Sequence, residues 1–204
     1  MMKTIKWKIL VITCLVCLAS VLPGILMWKQ LPDTMAIHFD INNNPDGFAS
    51  KGFAVFGFPL MMVALQIICC VINDVNARKH GERKKFERVT KWILPCMAII
   101  LQTLTVAFSL GMDIDVRKCA ALIVGVIFLA IGNYLPKFDY IKNADVDTSK
   151  ARRINRFMGI ETVIIGVLFI VSTFLPSVAS LVCICLLVPY AIIAVVYGII
   201  VCRK

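Results

Sequence analysis

The residues able to do acid–base or metal chemistry are few in this 204-residue sequence, which has only two histidines. His38 heads the candidate group, in the run Ile37-His38-Phe39-Asp40 with Asp46 further on, while His80 is expected on the opposite membrane face. A His-x-Asp pair is able to hold a divalent cation or pass a proton. A metalloprotease helix, however, needs two histidines at i and i+4 with a glutamate, and that set is missing. A structural role for the segment is expected before metal ligation. Glu161 is the other notable group, an acid inside an apolar stretch and therefore a functional candidate by default. Its competing role is electrostatic: it is expected about one turn inside its span, near the positive start of the helix, with Arg152, Arg153 and Arg156 close in sequence. Nine cysteines lie in or beside apolar stretches. Cys14-x-x-Cys17 and Cys183-x-Cys185 lack a second ligand pair, so the cysteines are expected to act as small apolar residues. No Ser/His/Asp set and no glycine-rich phosphate loop is present. Nothing argues for an enzyme, a metal or a cofactor.

The elements that must position these groups are apolar helices. The hydrophobic fraction is 60%, far above that of an ordinary soluble domain. Six stretches have the ~17–25 residues needed to cross a bilayer: Ile9–Trp28, Phe53–Ile72, Trp92–Gly111, Cys119–Leu135, Phe157–Pro176 and Val178–Cys202. The expected fold is all-α, a polytopic membrane protein with six transmembrane helices in a single domain over 1–204. Of the 22 Lys and Arg residues, only Lys29, Lys51, Arg117 and Lys118 lie in one set of connecting segments. All others lie in the alternate set or at the termini. Positive charge is retained in the cytoplasm during insertion, so both termini are expected there and 29–52 is expected outside. The first stretch reaches Trp28 without a small-x-small cleavage site and is expected to stay as a span. The net charge of +10 is then explained by topology and by anionic membrane lipids, and direct nucleic-acid binding is not expected.

The 29–52 loop is dense in Asn, Pro, Asp and Gly. Pro45-Asp46-Gly47 reads as a turn, and Met35–Phe39 as a short extended segment. The basic segment Asn76–Lys91 reads as an extension of its flanking helices. Pro59, Pro95 and Pro189 are candidate kinks, with Pro95 placed harmlessly in the first turn of its span, and Pro23-Gly24 a break in the first helix. Gln66 and Gln102 are expected to make interhelical hydrogen bonds. Gly125, Gly132, Gly159, Gly166 and Gly198 are expected to allow close helix packing.

Two motifs carry a family resemblance. Leu31-Pro32, Ile37-His38-Phe39-Asp40, Pro45-Asp46-Gly47-Phe48 and Ser50-Lys51 resemble the first-loop signature of small bacterial membrane proteins of the SdpI type. Gly132-Asn133-Tyr134-Leu135-Pro136-Lys137 resembles that family's second signature, which opens the basic segment 132–156. The segment Phe138–Lys150 departs from the family pattern. The resemblance implies a plasma-membrane immunity protein that protects against a secreted membrane-active peptide toxin. It also implies a sensor that holds a small winged-helix repressor at the membrane. On that reading His38, Asp40, Asp46, Gly47 and Lys51 are toxin-recognition candidates. Asn133, Pro136, Lys137, Arg153 and Arg156 are candidates for the cytoplasmic side. The alternative is a small transporter, or an accessory subunit of one, that uses Glu161, Gln66 and Gln102 as a polar path. A structural partner in an envelope complex is a third possibility.

Overall fold

A computed structural model describes residues 5–80, 84–137 and 148–203. The chain forms two compact units, Met1–Val116 and Arg117–Lys204, and among the described residues six helices are long and apolar enough to cross a membrane. The protein is a multi-pass helical membrane protein with one small sheet. Helices dominate because an apolar surrounding offers backbone amides no water, and a helix satisfies them locally.

In the first unit, α1 (Trp7–Ala19) and α2 (Leu22–Leu26) make one interrupted span. The break falls at Ser20–Val21, just ahead of Pro23, and the Ser20 hydroxyl donates to the Cys17 carbonyl at 2.7 Å. Gly24 is there for a close approach: a Cβ on it would lie 2.6 Å from Val55 Cγ1. The chain then forms an antiparallel hairpin, β1 (Thr34–Phe39) and β2 (Pro45–Ser50). A π-helical turn, Phe53–Gly57, leads into α3 (Phe58–His80), and α4 (Lys84–Ser109) runs back. Both helices extend well past the apolar stretches, so the basic segment between them is largely helical as expected.

The buried faces follow a four-residue step. On α3 it is Met62, Gln66, Cys70 and Asp74, and on α4 it includes Glu87, Lys91, Ala98, Gln102 and Val106. Those carrying i, i+4 spacing share one helix face. Leu10, Thr13 and Cys17 of α1 pack against them. The exposed tryptophans mark the two ends. Trp7 and Trp92 neighbour Lys6 and Lys91 at one end, and Trp28 adjoins the hairpin at the other. From Trp7 to Trp28 the rise is about 30 Å at 1.5 Å per residue, matching the thickness of a bilayer's hydrocarbon core.

Pro95 is not in a first turn. The structure starts α4 at Lys84, so Pro95 sits inside the helix and is fully buried. Lacking an N–H, it leaves the Lys91 carbonyl without its helical donor. Gln66 on α3 fills that place, its Nε2 donating to Lys91 O at 2.9 Å. The converse contact occurs at the other end. In the π turn the Phe58 amide bonds to Phe53 O, so the next carbonyl, Ala54 O, would look to residue 59, which is proline. Gln102 on α4 donates Nε2 to Ala54 O at 3.1 Å. Each helix thus carries a proline and, seven residues on, the glutamine that repairs the other helix's proline defect. The expected interhelical role of both glutamines is met, and it has a specific cause.

In the second unit, α5 (Val116–Tyr134) continues into a 3-10 turn, Leu135–Lys137. After it come α6 (Thr148–Ser172) and α7 (Ser177–Arg203), joined by the tight connection expected around Pro176. Four glycines make the α5–α6 seam. A Cβ on Gly125 would lie 2.8 Å from Gly166 O, and one on Gly132 would lie 2.9 Å from Gly159 O. Gly198 differs: among the described residues nothing lies within 4 Å of its Cβ position. On the other side of α6, Thr162 and Tyr190 share a hydroxyl hydrogen bond of 2.8 Å, and Phe157 stacks on Tyr197 at 4.0 Å.

Gln66→Leu should lower stability by about 1–3 kcal/mol, because it leaves a buried carbonyl unsatisfied. Restoring the missing donor with Pro95→Ala should remove most of that cost. Unfolding measurements on the two single variants and the double variant in detergent check this. Additive losses would contradict the assignment.

Candidate functional site

The hairpin is assembled from its polar residues. Its turn spans Asp40–Asn44, and Pro45-Asp46-Gly47 belongs to β2, which corrects the expected turn. Asp40 is the cause. Its Oδ1 accepts the amides of Asn42 at 2.8 Å and Asn44 at 2.7 Å, and its Oδ2 accepts Asn44 Nδ2 at 3.1 Å. Asn43 takes the positive φ of 65° that this turn requires, a conformation asparagine tolerates better than most residues. The Asn43 side chain also fixes the tip, donating to Ile114 O at 3.0 Å and accepting the Val116 amide at 2.9 Å. Pro45 is tolerated because it opens the strand.

Pairing is irregular between Ala36 and His38 and again between His38 and Phe39. Ile37 on one strand and Asp46 on the other are left without register partners, and such bulges re-aim side chains. Between them, His38 faces Gly47, where a Cβ would come within 2.7 Å of His38 Cβ. Gly47 therefore lets the strands approach at the histidine. Asp46 Oδ1 meets His38 Nδ1 at 2.5 Å. Both side chains are exposed, 72% and 47% respectively.

Of the five loop candidates, His38 and Asp46 come together and face outward. Asp40 and Gly47 build the ribbon. Lys51 is turned inward, 16% exposed, with Nζ donating to Leu31 O at 2.8 Å, pairing with Asp33 at 3.2 Å and standing 5.2 Å from the Trp28 ring centre. Leu31, Met35, Ala54, Val55 and Val106 form the apolar seat below, and Phe39 meets Phe108 edge-on at 4.7 Å.

At the far end of the same unit lies a charge cluster that reading the sequence missed. Lys91 Nζ donates to Asp74 Oδ1 at 2.5 Å, with the two side chains 1% and 2% exposed. Asp74 Oδ2 accepts the Lys6 backbone amide at 3.0 Å, and Lys6 Nζ pairs with the buried Glu87 at 2.7 Å. The start of α1 is thereby tied to α3 and α4. By charge distribution alone, Lys6 and Lys91 only set topology. The available signal was spacing: Asp74 continues the Gln66–Cys70 face, and Lys91 stands four residues before Pro95.

The second-signature residues also have structural tasks. Pro136 lies so close to Gly159 that a Cβ there would come within 2.5 Å of its Cδ. Lys137 Nζ donates to Asn133 Oδ1 at 3.3 Å and lies 5.0 Å from the Tyr134 ring centre. Arg153 and Arg156 stand exposed on α6. Residues 138–147, within the segment that departs from the family pattern, lie outside the described residues.

Glu161 corrects an expectation. With α6 starting at Thr148, it lies about 20 Å beyond the helix start at 1.5 Å per residue. A terminal dipole acts only over the first turn. Its Oε2 is buried and accepts no hydrogen bond among the described residues. Among those residues no group of three or more His, Cys, Asp or Glu side chains is arranged to hold a metal.

Removing one member of the buried pair, as in Asp74→Leu or Lys91→Met, should cost about 3–5 kcal/mol by stranding the other charge. The Asp74→Leu/Lys91→Met double variant should recover most of that loss. A double-mutant cycle followed by thermal unfolding in detergent measures it, and a double variant as unstable as the worse single would refute the coupling.

Residues 15–63 match the family described as Domain of unknown function (DUF1648). The match runs from α1 through the hairpin into α3 and so takes in the whole ribbon. No curated protein and no solved structure matches the chain.

Proposed function

We propose that the protein is a plasma-membrane immunity and toxin-sensing protein of the SdpI type, with the hairpin outside the cell and both termini in the cytoplasm. The observation that carries this reading is the hairpin. Its motif residues are folded into one ordered ribbon that presents a paired His38 and Asp46 to solvent. A linker between spans has no need of two bulges, a side-chain-built turn and an apolar seat. The charge asymmetry of the connecting segments supports the orientation. On the cytoplasmic side, exposed Arg153 and Arg156 offer basic contacts to a soluble repressor. The chemistry required is recognition, with no bond made or broken.

A small transporter is the second reading, favoured by the unpartnered Glu161 Oε2. Gln66 and Gln102 each commit Nε2 to a helix–helix hydrogen bond, while Gln66 Oε1, like Glu161 Oε2, is buried without a partner among the described residues.

The experiment is survival of a sensitive bacterial host under a peptide toxin, with and without this protein, at verified membrane abundance. Protection is expected. His38→Ala and Asp46→Ala should lower survival without lowering abundance. Equal survival at equal abundance would remove the hairpin from the recognition role. Flux into proteoliposomes that disappears in Glu161→Gln would favour transport.

A further inference from the structure

One face of α4 carries charge and apolar surface in a single line. Lys85, Arg88, Trp92, Cys96, Ile99 and Thr103 are all exposed. Each follows the last by three or four residues, so at about 100° per residue they fall within an arc of about 80°. The buried residues Glu87, Lys91, Ala98 and Gln102 fall outside that arc. Neighbours three and four apart touch on a helix surface, so the line is continuous. Along it, two cations come first, then the indole, then less polar residues. Thr103 turns its hydroxyl back on its own helix, donating to Ile99 O at 2.8 Å, which satisfies it where hydrocarbon offers no partner.

The positive charge at this end survives a full count. Segment 74–91 contains Arg78, Lys79, Arg83, Lys84, Lys85, Arg88 and Lys91 against Asp74, Glu82 and Glu87. Asp74 and Glu87 are buried and already matched by Lys91 and Lys6. Lys85 and Arg88 make no ion pair among the described residues, so their charge is available to an anion. They stand within two helical turns of Trp92, which is 39% exposed, and tryptophan marks the level where headgroups meet hydrocarbon. From Arg88 to Ile99 the helix rises about 16 Å, close to the ~15 Å of one leaflet's hydrocarbon. The cations therefore match the depth of lipid phosphates and the remainder of the line the depth of acyl chains. An acidic soluble protein would answer the cations and leave the rest of the line unmatched.

We infer that this face of α4 is a binding site for an anionic phospholipid, with the phosphate at Lys85 and Arg88, the glycerol at Trp92 and an acyl chain along Cys96, Ile99 and Thr103. A guanidinium offers paired donors to phosphate oxygens, and the ammonium adds a compact charge. A zwitterionic lipid presents the same phosphate but brings its own cation, so the site prefers a headgroup of net negative charge. The inference is independent of what the hairpin recognises.

The test uses the full-length protein with Trp7→Phe and Trp28→Phe, which leaves Trp92 as its one indole. The protein is placed in phosphatidylcholine nanodiscs, and brominated phosphatidylglycerol or brominated phosphatidylcholine is titrated in as the quencher. Phosphatidylglycerol is expected to half-quench Trp92 at the lower mole fraction, with a difference that shrinks as salt rises. Lys85→Gln and Arg88→Gln, both at exposed positions, should each raise that mole fraction about fivefold. With both changes the two lipids should quench alike. Lys8→Gln removes the same charge from the same end of the unit, about 200° round α1 from the buried Leu10, and should leave the preference intact. Equal quenching of the parent by the two lipids would overturn the inference. So would a preference that survives the double change, or one that falls as far in Lys8→Gln, which would reduce the effect to diffuse charge. Equal quenching, with retention on a poly-glutamate resin that is lost in Lys85→Gln and Arg88→Gln, would overturn it in favour of an acidic soluble partner.

Discussion

A proline inside a buried helix leaves a carbonyl that some other donor must satisfy, and the first unit is organised around two such carbonyls. Lys91 O and Ala54 O are each served by a glutamine from the opposing helix. With no water in an apolar surrounding, that repair fixes how far α3 and α4 can slide past one another. It also gives Lys91 two duties, since its carbonyl holds Gln66 while its ammonium holds Asp74. Backbone geometry and charge balance meet at one residue.

The two ends of this unit use charge in opposite ways. At the Lys6 end Asp74, Glu87 and Lys91 are buried and Lys6 completes the charge match, joining three helices where a stranded carboxylate would be costly. At the hairpin end His38 and Asp46 are outside, and their pairing orients a surface more than it stabilises one, exposed pairs being worth little. A rigid base and a presented tip suit the recognition role proposed above. The second unit achieves closeness differently, through glycines whose missing side chains let α5 and α6 approach backbone to backbone.

Much of this was legible in the sequence. Apolar length gave all six helices, the short extended segment at Met35–Phe39 falls within β1, and four of the five glycines do line a seam. The basic segment Asn76–Lys91 reads correctly as helical, but the inward turn of Glu87 and Lys91 shows only once Lys6 and Asp74 are placed beside them. The hairpin turn was misplaced because Pro-Asp-Gly is a strong local signal. Asp40 collects two amides and draws the turn five residues earlier, while Gly47 is required by the approach of His38 and not by its φ. Pro95 looks like a first-turn residue only if the helix starts with the apolar stretch at Trp92, whereas α4 starts at Lys84. The pairing of each glutamine with a distant proline depends on helix register, which single-segment patterns do not contain.

The π turn at Phe53–Gly57 holds one residue more than an α-helical turn would. Angular phase along a helix advances about 100° per residue, so this extra residue acts as a gear offset between the ribbon and everything after it. Contraction to an α turn would rotate α3 relative to its own starting point and carry Gln66 and Asp74 off the face that meets α4. The hairpin precedes this surplus position and Gln66 and Asp74 follow it, so the two are keyed to each other through it, as two cams on a single shaft.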